Sequence, residues 1–300
     1  MALPYVLITP ARNEEAFLES TILSMVQQTL KPIKWVIVSD CSTDRTDEIA
    51  KSYAAAHDWI EFVRMPDHEE RTFASKVRCF NAGYERVKGL DYAIIGNLDA
   101  DITFEKDYLE FLMGKFEQMP ELGVAGTPFV EEGYSSAQDG YEGGEHVAGG
   151  CQLFRKACFE EIGGYPKVKP GHVDKIAVVT ARMKGWKTRS FQEKTFNHHR
   201  KLGTGGSGKW TSLFKYGMRD YRIGRHPVWE FFRIGYRMTK KPYIIGGGLL
   251  MTGYFWALIS REERPVSREF IEFCQREQMQ KLRSILLSKI KLKKYDKYAA

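Results

Sequence analysis

The sequence lacks the features that mark several large protein classes. Cysteine is scarce: Cys41, Cys79, Cys151, Cys158 and Cys274 are the only five in 300 residues. The number is odd and no two stand in CxxC spacing. Neither a disulfide framework nor a cysteine-rich zinc site is implied, and a reducing compartment fits best. No internal repeat is present. No basic leader or cleavage site precedes the first apolar run at Tyr5–Thr9, so no signal peptide is expected. Long uncharged runs are also missing, with one exception, the segment Tyr243–Ile259 (YIIGGGLLMTGYFWALI). Its length sits at the lower limit for a spanning helix, which needs about 17–20 apolar residues. Lys240 and Lys241 precede it and Arg261 and Arg264 follow it. Two basic flanks fit a re-entrant hairpin or an interfacial segment better than a single span. A buried core helix is the alternative.

What is present is globular. The chain is 43% hydrophobic and 28% charged, with a formal net charge of +7. That length and composition support a sizeable core. A basic balance suits phosphate-bearing ligands, nucleic acid or an anionic membrane surface. The excess gathers late, between Lys281 and Lys297, where a solvated tail is the plainest explanation.

The first half alternates strand and helix patterns. Val6–Thr9, Trp35–Val38, Ile60–Val63, Tyr92–Ile95 and Val124–Gly126 read as strands. Between them Leu18, Ile22, Met25 and Val26, then Ile49 and Tyr53, then Val77, Phe80, Tyr84 and Val87, then Tyr108, Phe111, Leu112 and Phe116 recur at helical spacing. This alternation predicts an α/β fold with a mostly parallel central sheet flanked by helices. Ligands of such sheets bind beyond the carboxyl ends of the strands. The residues there are Thr9–Asn13, Ser39–Asp40 and Asn97–Asp101. The stretch from Glu131 to Gly150 is glycine-rich and acidic and reads as a loop.

Asp99 and Asp101 flank one alanine at the end of an apolar strand. Two paired carboxylates suit Mg²⁺ or Mn²⁺ on a diphosphate; solvated turn acids are the other reading.

The ordered set of motifs around them resembles the family 2 glycosyltransferases, which have the GT-A fold. Pro10, Asn13 and Glu14 match the first strand–loop of that family. Gln28 and Pro32 match its first helix end, and Ser39-Asp40-Cys41-Ser42-Thr43-Asp44 its Asp-Asp-Gly-Ser-x-Asp. Lys76 before Asn81-Ala82-Gly83, the strand leading to Asp101, Gly149–Arg155 and Ile162–Tyr165 follow in order. The resemblance spans residues 4 to 200. Ser39 and Cys41 depart from the pattern, as does Val173 where the family carries Glu before Asp174.

The resemblance implies a nucleotide site of Pro10, Ala11, Arg12, Asn13, Glu14, Asp40, Lys76, Arg78 and Asp99. Asp40 would accept the base's ring N–H. Asp99 and Asp101 would hold Mn²⁺ or Mg²⁺, with His198 or His199 as a further ligand or diphosphate contact and no basis for choosing between them. Asp174 would be the catalytic base; a helix N-cap is its structural alternative, and the two are compatible. Gly149 and Gly150 fall in the acceptor-side segment.

Gly203–Trp210 nearly satisfies a phosphate-loop pattern, but Trp210 stands where the metal-binding hydroxyl belongs and no core strand precedes it. It reads as a mobile lid in which Arg200, Lys209 and Trp210 face donor or acceptor, or as a plain linker. Downstream, Trp229, Phe231, Phe232, Tyr236 and Trp256 mix with Arg222, Arg225, Arg233 and Arg237. That mixture suits an interface with anionic lipid; no nucleic-acid motif accompanies it. Phe270 to Leu286 recur as an amphipathic helix.

The expected organisation is a GT-A catalytic domain over 1–200, a glycine-rich lid and membrane-associating segment over 201–260, and a basic C-terminal helix over 261–300. The expected activity is inverting transfer from a nucleoside-diphosphate sugar, a UDP-sugar by family habit. The acceptor would be a saccharide or lipid-linked saccharide at the cytoplasmic face of the cell membrane, in envelope polysaccharide synthesis. A polyprenyl-phosphate sugar transferase, a sugar nucleotidyltransferase and a catalytically degenerate saccharide- or partner-binding module are the alternatives. Sugar, acceptor and oligomeric state are not legible.

Overall fold

The computed structural model describes residues 3–67, 73–131, 134–138, 144–168, 171–200, 209–239 and 243–296. The chain forms two compact units, residues 1–201 and 202–300.

In the first unit the apolar run Tyr5–Ala11 forms β1, buried along its length except at Pro10. Such a strand must be covered on both faces, which is what a parallel sheet between helices provides. Helix α1 (Leu18–Val26), β2 (Lys34–Ser39), α2 (Thr46–Ala56), β3 (Ile60–Arg64), α3 (Phe73–Val87) and β4 (Ile94–Leu98) follow. Then come β5 (Ile102–Thr103), α4 (Tyr108–Gln118), β6 (Leu122–Gly126), β7 (Phe129–Glu131), β8 (Tyr134–Ser135), β9 (Cys151–Arg155) and α5 (Lys156–Glu161). Helix α6 (Val173–Met183), β10 (Lys187–Ser190) and β11 (Phe196–His198) complete the unit.

Seven strands make the main sheet in the order β10-β6-β9-β4-β1-β2-β3. Strands β1 to β4 run parallel, as do β6 and β10, while β9 lies antiparallel between β4 and β6. A four-stranded sheet, β5-β11-β7-β8, stands apart. The core packs Leu7, Ile22, Trp35, Leu112 and Phe116 at 1% exposure or less, and the Trp35 indole N–H donates to Thr9 Oγ1 at 2.9 Å. All five cysteines are free.

Three local expectations need correction. The fourth strand begins two residues later and ends three residues later than Tyr92–Ile95. Gly96 and Asn97 are in its middle, and a Cβ on Gly96 would fall 2.3 Å from Leu153 Cδ2 and 2.7 Å from Leu7 Cδ2. That glycine serves close packing rather than a turn. The stretch expected as a loop from Glu131 begins at the end of β7, and its described part contains β8. Asp174 is not an N-cap: His172, at φ 61°, takes that position and Asp174 lies in the first turn of α6.

The second unit is helical: α7 (Lys209–Arg222), α8 (Pro227–Met238), α9 (Tyr243–Ile259) and α10 (Arg268–Asp296). The uncharged segment is therefore one continuous helix and not a re-entrant hairpin. Its glycines bring backbones together: a Cβ on Gly253 would meet Phe214 O at 2.0 Å, and one on Gly247 would meet Ile234 O at 3.0 Å. Among the described residues no helix is long and apolar enough to cross a membrane. The opposite face of α9 is bare, with Ile244 71%, Ile245 61%, Trp256 59% and Ile259 79% exposed. Between α7 and α8, buried Asp220 pairs with Arg225 at 2.7 Å and Arg233 at 2.6 Å. A buried charge persists only when partnered in this way.

Candidate functional site

The loops after β1 and β2 are laced together by side chain to backbone bonds. Asn13 N–H donates to Ser42 Oγ at 3.1 Å, Thr43 N–H to Asn13 Oδ1 at 2.9 Å, and Glu14 N–H to Thr46 Oγ1 at 2.7 Å. The Asp40 amide closes the junction by donating to Ala11 O at 2.8 Å. Asn13 and Cys41 both take positive φ, 54° and 56°. Asn tolerates that conformation, whereas Cys41 holds it where the family carries glycine. Ser39, in place of an aspartate, is fully buried and bonded to Ser42 Oγ at 3.0 Å. Asp40 is the acid left facing the loops, with Arg12 Nη1 3.2 Å from its Oδ2. Behind it burial, then the charge of Asp40, pushes the Cys79 thiol up to about 12. Arg78 is exposed, and its guanidinium donates to Ser75 Oγ at 3.0 Å.

Asp99 and Asp101 sit just beyond β4. Lys76, from α3, brings Nζ to 2.5 Å from Asp99 Oδ1. The Asn97 amide donates to that oxygen at 3.0 Å and to Gly149 O at 2.7 Å. Asp101 faces His198 Nε2 at 3.6 Å and Arg200 Nε at 3.5 Å, and Arg200 also pairs with Glu14. His198 Nδ1 lies 2.9 Å from Glu131 Oε1. This carboxylate partner on Nδ1 orients the ring and turns Nε2 toward Asp101. His199 turns elsewhere: its ring stacks on Phe17 and Nε2 meets Thr103 Oγ1 at 2.9 Å.

Charge is crowded here. Burial, then Asp99, raises the Asp101 carboxyl, with His198, Arg200 and Lys76 opposing. Burial, then Asp101, raises Glu14 to about 7, with Arg200 opposing and Asp99 and Asp44 adding. Burial works against the Lys76 ammonium, yet Asp99, then Asp174 and Asp101, hold it above its ordinary range. The acids thus exceed what the local cations offset. Among the described residues no three His, Cys, Asp or Glu side chains are drawn together tightly enough to hold a metal ion as they stand. The donor chemistry still fits one: two hard carboxylates and an oriented imidazole in surplus negative charge suit Mn²⁺ or Mg²⁺.

Asp174 reaches the same place through Gly149 and Gly150. A Cβ on Gly149 would lie 2.8 Å from Asp174 Oδ2, and one on Gly150 would lie 3.9 Å from Asp99 Oδ2. The Asp99 amide also donates to Gly150 O at 2.8 Å. Burial first, then the charges of Asp174 and Asp99, holds the Tyr165 phenol well above its ordinary range. Adjacent glycines thus run between the two acids.

Of the expected lid, Gly203–Gly208 lie outside the described residues, as does the side chain of Lys209. Trp210 is in α7 and half exposed. Sequence reasoning missed Glu131, and it set Asn97 beyond its strand where the structure has it inside β4. A polar Asn97 inside the otherwise apolar, buried Ile94–Leu98 was a usable signal, since a buried amide needs partners. Glu131 had none, because only the pairing of β7 with β11 brings it to His198.

Residues 6–139 match the glycosyl transferase family 2. The chain is 36% identical over 134 residues to the teichuronic acid biosynthesis protein TuaG of Bacillus subtilis (strain 168), covering 44% of this chain and 48% of that protein. It is 26% identical over 196 residues to the 4,4'-diaponeurosporenoate glycosyltransferase of Staphylococcus aureus (strain USA300), covering 58% and 50%. The chain thus spans about half the length of the curated relatives it matches. Among solved structures, mannosyltransferase PcManGT of Pyrobaculum calidifontis, in complex with GDP-Man and Mn²⁺, aligns at TM-score 0.62 and 16% identity, over 87% of this chain and 89% of that one. S. aureus TarS 1–349 in complex with UDP-GlcNAc aligns at 0.54 and 13%, over 87% and 74%. These likenesses establish the GT-A fold.

Proposed function

From the match of residues 6–139 to glycosyl transferase family 2 and the GT-A fold, we propose that the chain transfers a sugar from a nucleoside-diphosphate donor to an acceptor hydroxyl with inversion at the anomeric carbon. The observation that carries this reading is the approach of Asp174 to Asp99 across Gly149 and Gly150. Binding a nucleotide needs the first acid group alone; a carboxylate at the acceptor side adds a base.

Asp40, steadied by Arg12, accepts the ring N–H of the base, and Pro10–Glu14 line the nucleoside side. Asp99, Asp101 and His198 would hold a divalent cation, which when bound offsets the charge of the departing diphosphate. Lys76 and Arg78 contact phosphate. Asp174 removes the acceptor hydroxyl proton as the oxygen attacks the face opposite the nucleotide. Asp174 stands in the first turn of α6.

We assign the donor to the UDP-sugars. Support comes from the UDP-GlcNAc complex of TarS; the GDP-Man complex of PcManGT makes GDP-sugars the competing class. The acceptor is a lipid-linked saccharide of envelope polysaccharide synthesis, a reading supported by the likeness to TuaG. The bare apolar face of α9 would rest on the cytoplasmic membrane surface.

The test is incubation of the protein with a panel of UDP- and GDP-sugars and lipid extract, in Mn²⁺ or in chelator, with identification of the nucleotide released. UDP released from one donor, in Mn²⁺ only, is expected. No release from any donor, with metal and nucleotide bound, would instead indicate a binding module.

A further inference from the structure

Two of the cations around the acid pair come from outside the elements that carry it. Lys76 projects from α3 to Asp99, and Arg200 follows β11 to reach Asp101 and Glu14. Each is on a long flexible stem and keeps contact with solvent, with 37% of the Lys76 side chain and 30% of the Arg200 side chain exposed. Arg200 also lies over the Phe17 ring, 5.7 Å from its centroid. These side chains occupy the carboxylate oxygens that a divalent cation would need.

A cation entering alone has to break both ion pairs, and it leaves an ammonium and a guanidinium beside a new double positive charge. That arrangement is repulsive. A diphosphate arriving with the cation reverses the balance, because its oxygens give both side chains new partners. Resting on the metal and nucleotide reading above, we propose that Lys76 and Arg200 are exchangeable internal counter-ions. They neutralise Asp99 and Asp101 in the free protein and pass to the donor phosphates when the carboxylates take the metal. Metal binding thereby becomes conditional on nucleotide, and by linkage nucleotide binding becomes conditional on metal to the same degree.

The experiment is a Mn²⁺ titration of the full chain, followed by the EPR signal of free Mn²⁺, alone and with saturating UDP or GDP. Wild type, Lys76→Met, Lys76→Arg and Arg200→Met are compared, with thermal unfolding to show that each is folded. In wild type the nucleotide is expected to tighten Mn²⁺ binding by about tenfold or more, within the usual range of coupling between sites. Lys76→Met and Arg200→Met should each bind Mn²⁺ alone more tightly than wild type. Each should also lose most of the enhancement, to about threefold or less, while Lys76→Arg keeps it. Mn²⁺ affinity that is unchanged or weaker in both Met variants, with the nucleotide enhancement intact, would overturn this inference and leave the site reading standing. Wild-type protein that binds neither Mn²⁺ nor nucleotide would overturn both.

Discussion

Gly149 packs so closely on Asp174 that a Cβ there would lie 2.8 Å from Oδ2 and 3.0 Å from the aspartate Cβ. Space for the carboxylate that we assign as base is thus made by the absence of a side chain in the neighbouring segment. Gly149→Ala should push Asp174 off its position. A misplacement of about 1 Å costs roughly a hundredfold in rate, so nucleotide release should fall by about that factor. Mn²⁺ and UDP binding by calorimetry should stay close to wild type, because the alanine faces Asp174 and not Asp99.

Glu131 acts on the metal site through His198. With the 2.9 Å contact to Nδ1 removed, the imidazole loses the partner that orients it. Partners of this kind are worth about 10–100-fold in metal affinity. Glu131→Ala should weaken Mn²⁺ binding in the presence of nucleotide by that amount. His199→Ala, whose ring is engaged with Phe17 and Thr103, should change it by less than about threefold on the same scale.

The raised carboxyl of Glu14 makes the metal-free protein pH-sensitive. Its value goes from 4.5 to about 7 on folding, through burial and then the charge of Asp101. Between these values the folded state holds the proton and the unfolded state does not, so stability falls as pH rises from about 4.5 to about 7. Glu14→Gln removes that slope. In chelator its melting temperature should match wild type below pH 4.5 and exceed it above pH 7. The gain should be about 1–2 kcal/mol after allowance for solvent screening.

The bare face of α9 gives the membrane reading its own test. Replacing Ile244, Ile245 and Trp256 together by serine removes exposed apolar surface and leaves the glycine-packed face untouched. Full burial of one such side chain stabilises by about 1.5–3 kcal/mol, so flotation with phosphatidylglycerol vesicles should weaken by at least about tenfold. Turnover of a soluble acceptor should not change. Equal flotation of the variant and wild type would contradict the assignment.

Much of this was legible because strand and helix signals are local. The apolar runs at Tyr5 and Trp35 announced strands whose polar ends, Asn13 and Asp40, had to face a ligand. The antiparallel β9 was not legible, since alternation of elements carries no information on strand direction. Gly96 shifted the expected strand because the same residue type marks a turn and a crowded sheet interior, and only Leu7 and Leu153 in place tell the two apart. Glu131 depended on a pairing with residues near 196, which no local pattern encodes. The basic flanks of α9 misled for a related reason: in sequence they suggest a re-entrant hairpin, whereas glycines packed against Phe214 and Ile234 belong to one continuous helix.

The central claim is single displacement assisted by Asp174, and the configuration of the released sugar tests it without knowledge of the acceptor. With an α-linked nucleotide sugar that the protein turns over, water can replace the acceptor, and ¹H NMR in the first minutes distinguishes the anomers before they equilibrate. The account predicts that the β-anomer appears first with wild type and that Asp174→Asn releases almost none. The α-anomer appearing first, or undiminished release by Asp174→Asn, would contradict it.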